Sequence, residues 1–200
     1  MPTNLPAAHK RIPSYGLLAM AVCISAYALN LSGLLDISAA TLGVLFPVCG
    51  CLQIMAGLHA GQSGNQSAAA AMLPLGMFCL SLTGFEVFPR LGIGHSPEAA
   101  TLGAYLTMWA LFAALLFLGS FQQCRALQAV FANLLFCLLF LALGILSENP
   151  AFLLTGGICG VICGVSAGYA AVAQLLNRCC GRAVFPTGQV NQDIEDQLAP

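Results

Sequence analysis

Two unbroken apolar runs, residues 101–121 and 126–146, are parted only by Gln122, Gln123, Cys124 and Arg125, and neither run contains a charge. A helix rising ~1.5 Å per residue needs about 20 apolar residues to cross a hydrocarbon core of roughly 30 Å, so each run predicts a membrane span and the pair a helical hairpin. Stretches of similar length recur on both sides. Residues 15–35 predict a first span, Asp36, Ile37 and Ser38 a tight turn, and a second span follows to about Leu58. Residues 59–67 read as a glycine-rich polar loop and 68–85 as the third span. Residues 86–98, holding Pro89, Arg90, Gly92, Gly94 and Pro97, read as the longest interior loop. After the hairpin, residues 147–150 predict a turn and residues 151–176 a sixth span.

The pattern therefore predicts an all-α polytopic membrane protein of six helices, with tails at 1–14 and 178–200 around a transmembrane domain at 15–177. An even number of spans puts both ends on one side, together with the loops after spans two and four. Lys10, Arg11, Arg125, Arg178 and Arg182 fall on that side and only Arg90 opposes them. By the positive-inside rule that side is the cytoplasm, which in a bacterium makes the membrane the inner one. Asp193, Glu195 and Asp196 mark the C-terminal segment as a solvated tail.

Composition agrees with the pattern and narrows the function. The chain is 59% hydrophobic and 6% charged, against roughly 25% charged in soluble domains. A net charge of -1 leaves no basic surface for nucleic acid. Seven of the ten cysteines (Cys23, Cys49, Cys51, Cys79, Cys137, Cys159 and Cys163) lie in apolar runs and read as small packing residues rather than a disulfide framework. Cys179 and Cys180, after Arg178, stand where palmitoylation is conceivable. No cleavable signal follows Lys10 and Arg11, because the apolar run behind them is long enough to span. His9, His59 and His95 lack second ligands at metal spacing, and no nucleophile elbow, zinc-protease or phosphate-loop motif occurs. Neither an enzyme nor a cofactor is predicted.

Within the spans three features depart from lipid-facing leucine. Gly156, Gly160, Gly164 and Gly168 form a stripe along one face of span six, suited to close helix packing or to a backbone-lined pore. Pro47 and Pro74 interrupt spans two and three, freeing carbonyls near Gly43 and Ala70. No ionisable residue is expected well inside any span. The deep polar side chains are the amides Gln53 and Asn133, with Asn30 and Gln128 nearer the ends; for Asn133 a bond to a neighbouring helix and a pore-facing role both remain open.

Several segments in order resemble the acetate uptake transporter family, the YaaH- or SatP-like six-helix membrane proteins, from Gly16 to about Gly188. They are Gln53-Ile54-Met55-Ala56-Gly57-Leu58 with Gly64-Asn65, Leu102-Gly103-Ala104-Tyr105-Leu106 with Trp109, and Leu118-Gly119-Ser120. Arg125-Ala126-Leu127-Gln128, Leu141-Ala142-Leu143-Gly144, Ile162-Cys163-Gly164-Val165-Ser166-Ala167 with Tyr169, and Gly181-Arg182-Ala183-Val184-Phe185-Pro186-Thr187-Gly188 continue the series. The resemblance implies a homohexameric ring with one pore per protomer, conducting acetate and related monocarboxylates or succinate. It also implies an apolar constriction whose positions fall on Met20, Leu75 and Leu134, and a size-setting position on Ala167. The family's opening Asn-Pro-Ala-Pro-Leu-Gly-Leu is replaced by Arg11-Ile12-Pro13-Ser14-Tyr15-Gly16-Leu17, and its Tyr-Gly-Gly in helix two by Val48-Cys49-Gly50.

A bare carboxylate pays a large desolvation cost at an apolar constriction with no cation to offset it. The permeant is therefore expected to cross the narrowest point protonated, or to enter as the anion and carry a proton of its own, with Asn133 and freed carbonyls as transient partners. Two other readings stand beside it: a channel for small neutral solutes such as urea, and a non-transporting scaffold or sensor whose 193–200 tail recruits a partner. The expected partners are thus a small carboxylate, the lipid bilayer and further copies of the chain.

Overall fold

The computed structural model describes residues 12–122, 125–180 and 185; of the expected tails at 1–14 and 178–200, residues 1–11, 181–184 and 186–200 lie outside it. Six helices are long and apolar enough to cross a membrane. They are α1 (Ser14–Leu31), α2 (Ala39–Gln62), α3 (Gln66–Leu82), α4 (Ala99–Gly119), α5 (Arg125–Leu146) and α6 (Pro150–Cys180).

Local chemistry moves several boundaries. α1 stops at Leu31, not Leu35, because Gly33 takes a positive φ of 72°, leaving Leu34 and Leu35 exposed in the connection. Ser38 then opens α2 by accepting a bond from the Thr41 N–H at 3.2 Å. The expected polar loop at 59–67 shrinks to three residues. Nothing breaks α2 before Gly64, whose φ of 79° ends it, and the Asn65 side chain at once caps α3 by accepting from the Ala68 N–H. Both helices run on through Pro47 and Pro74.

The largest correction concerns Glu86. The expected loop at 86–98 begins as structure, since α3 continues into a π-turn, Thr83–Val87, and a 3-10 turn, Pro89–Leu91. Glu86 therefore lies on a spanning stretch, Gln66–Leu91, instead of in solvent.

The helices form a closed ring in chain order. α1 packs on α2, α2 on α3, α4 on α5, α5 on α6, and α6 returns to α1. α3 meets α4 through large rings, with Phe78 centred 6.0 Å from Tyr105 and 5.0 Å from Trp109. Lipid supplies no hydrophobic drive between helices, so contact must come from close, complementary surfaces. The glycine stripe of α6 provides one inside the protomer: Gly156 abuts Leu141 of α5, Gly160 abuts Ala28, and Gly164 abuts Ser25 and Ala21 of α1. Gly50 of α2 and Gly76 of α3 do the same, each packing on the other's carbonyl. Apolar side chains also cover the outside: Val44, Leu111, Leu115 and Val165 are 65–68% exposed, a surface suited to lipid rather than water.

Candidate permeation pathway

α1 and α3 run parallel in a fixed register. Gly16 faces Met72, Cys23 Sγ lies 2.6 Å from Cys79 Sγ, and Asn30 Nδ2 donates to Glu86 Oε2 at 3.2 Å. All three pairs are separated by 56 residues, and successive pairs are two helical turns apart. Carried along the helices, the same offset pairs the positions of Met20 and Gly76, and those of Tyr27 and Thr83. Facing stripes of α1 (Met20, Cys23, Tyr27, Asn30) and α3 (Leu75, Cys79, Thr83, Glu86) thus form a ladder running from apolar to polar.

At the apolar end Met20 and Leu75 are each 3% exposed and Leu134 1%, all within one core cluster. Met20 is on α1, Leu75 on α3 and Leu134 on α5. Ala167 is wholly buried on α6. One turn along the ladder, Gln53 of α2 is fully buried and its Nε2 donates to Cys79 Sγ at 2.9 Å, while its Oε1 has no hydrogen-bond partner. Of the two readings open for Asn133, the bond to a neighbouring helix is not seen among the described residues. Half-buried, Asn133 donates to the Ala129 carbonyl of its own helix at 2.9 Å instead of reaching another helix. An amide able to close a ring onto the carbonyl four residues back needs no second helix.

The polar end is a braced mouth. Arg90 donates to the Ile37 carbonyl at 3.0 Å and to Asn30 Oδ1 at 3.4 Å, and its Nη2 lies 3.5 Å from Glu86. The Glu86 side chain is only 11% exposed. Between mouth and thiols, the Tyr27 ring is seated edge-on against Phe46 and Phe78, at 6.3 and 6.1 Å. Its hydroxyl, like that of Thr83, is buried without a hydrogen-bond partner. Tyr105, by contrast, is bonded to the Ser81 hydroxyl. Sequence reasoning missed Tyr27 and Glu86. The spacing 20, 23, 27, 30 was the available signal for the first; nothing local foretold the π-turn that carries the second.

The GPR1/FUN34/yaaH family model matches residues 6–190. The chain belongs to this family. It is 36% identical over 140 residues to the succinate-acetate/proton symporter SatP of Escherichia coli K12, spanning 70% of this chain and 74% of that protein. An uncharacterised protein of Methanothermobacter thermautotrophicus is 27% identical over 179 residues, spanning 86% and 88%. Among solved structures, the bacterial acetate channel SatP superposes with a TM-score of 0.79 at 32% identity, covering 88% of this chain and 97% of that one. With six apolar helices and transport proteins as kin, this family member is a multi-pass membrane protein.

Proposed function

We propose that this protein carries acetate and related short carboxylic acids, succinate among them, across the membrane in neutral form, past Met20, Leu75 and Leu134. One observation carries the reading: these three side chains are apolar and buried, and the groups flanking them on the ladder, Gln53, Cys23 and Cys79, are uncharged. Protonating an acid of pKa near ~4.5 at pH 7 costs about 3 to 4 kcal/mol. Dragging the bare anion through a low-dielectric throat costs several kcal/mol more than a paired ion, with no cation there to offset it. The neutral route is the cheaper. Kinship with a succinate-acetate/proton symporter and an acetate channel supports the same substrate class.

The protein acts as a conduit and not as an enzyme, as a homohexameric ring with one pore per protomer, both termini cytoplasmic and, in a bacterium, in the inner membrane. Support for assembly comes from α4, most of whose apolar residues are left uncovered within the protomer. Initial rates of labelled acetate, succinate, lactate and urea entry into proteoliposomes test the function. Saturable acetate flux well above that of urea is expected; urea flux without acetate flux, or no flux above empty vesicles, would overturn it.

A further inference from the structure

Tyr27 and Thr83 are the two rungs of the α1–α3 ladder whose polar atoms nothing answers. Tyr27 is 0% exposed, its ring clamped between Phe46 and Phe78, yet its hydroxyl has no hydrogen-bond partner among the described residues. Thr83, at the same level by the shared offset of 56, likewise has a buried, unpaired Oγ1. Intramembrane threonines ordinarily bond to a carbonyl one turn back, as Thr107 does to Gly103 and Thr155 to Ala151, each at 2.8 Å. Thr83 departs from this at the first residue of the π-turn, a distortion that recurs at functional sites. Buried polar groups left unsatisfied are costly and rare, and two at one level call for a ligand that answers both.

We propose that Tyr27 and Thr83 form a binding site for the neutral carboxyl group of the permeant, between the Glu86 mouth and the Cys23–Cys79 pair. A protonated acid presents one acceptor and one donor. The Tyr27 O–H donates to its carbonyl oxygen, and its own O–H donates to Thr83 Oγ1. The group is held neutral and two turns further along α1 lies Met20, where the acid must pass without charge. Two uncharged hydroxyls favour the acid over its anion, the neighbouring Arg90 being already engaged by Glu86, so the site selects the form the throat admits. This inference rests on the carboxylic-acid reading above.

Acetate uptake into proteoliposomes at pH 5.5, measured against concentration, tests it with Tyr27→Phe, Thr83→Val, the conservative Thr83→Ser, and Tyr15→Phe as an exposed control. Loss of one hydrogen bond is expected to raise the half-saturating concentration roughly five- to tenfold in Tyr27→Phe and in Thr83→Val. Thr83→Ser, which keeps the hydroxyl, and Tyr15→Phe should match the parent, and neither Tyr27→Phe nor Thr83→Val should melt earlier, since each gives up only an unpaired hydroxyl. Saturable parental flux with both variants unchanged would overturn the site and leave the transport function standing. A fall in maximal rate alone, or one tracking a lower melting temperature, would assign the pair to packing and overturn the site as well. Parental flux equal to that of empty vesicles would overturn both.

Discussion

Gly164 leaves no room for one more carbon. A methyl group there would overlap the Ser25 hydroxyl and stand 2.8 Å from the Ala21 carbonyl, a backbone atom that cannot rotate away. Gly164→Ala is therefore expected to destabilise the protein by about 1–3 kcal/mol, read as a lower melting temperature in detergent. Adding Ser25→Ala should recover only part of the loss, because the carbonyl remains. Glu148 is the opposite case. It sits at a left-handed φ of 51°, while the Asn149 N–H bonds to the Gly144 carbonyl to close α5. Glycine suits that position, so Glu148→Gly should stabilise by roughly 1 kcal/mol; an unchanged or lower melting temperature would contradict this.

Among the elements, the π-turn at Thr83–Val87 matters most, because it turns a loop carboxylate into a mostly buried one. Arg90 braces the turn against the α1–α2 connection and is Glu86's cationic neighbour, while Asn30 supplies a neutral bond. Removing a partner from a buried charge costs more than removing the charge. Arg90→Ala should thus speed hydrogen exchange across residues 83–91 and lower stability more than Glu86→Gln, and the double variant should resemble Glu86→Gln. If Glu86→Gln proves the more damaging, the carboxylate is held by something other than Arg90. The sequence showed glycine, proline and arginine here and invited a loop; the path of the backbone depends on an i+5 hydrogen bond from Phe88 N–H to the Thr83 carbonyl that no residue pattern announces.

For the whole molecule, the neutral-acid route makes flux depend on the fraction of protonated substrate. That fraction grows as external pH falls toward the free acid's pKa of about 4 to 5, so below saturation uptake at a fixed total concentration should rise by more than about tenfold from about pH 7 to about pH 5.5. Equal uptake at both values, with gradients collapsed, would exclude the neutral route. Six spans, their order, the membrane setting and the family were all legible along the chain, because apolar length and sparse charge are local properties that a bilayer reads directly. The parallel α1–α3 register, the seating of the glycine stripe against α1, the bond of Asn133 to its own helix and the burial of Glu86 were settled only in three dimensions. Each of these depends on which residues far apart in sequence come to face one another, and hydrophobicity alone carries no such information.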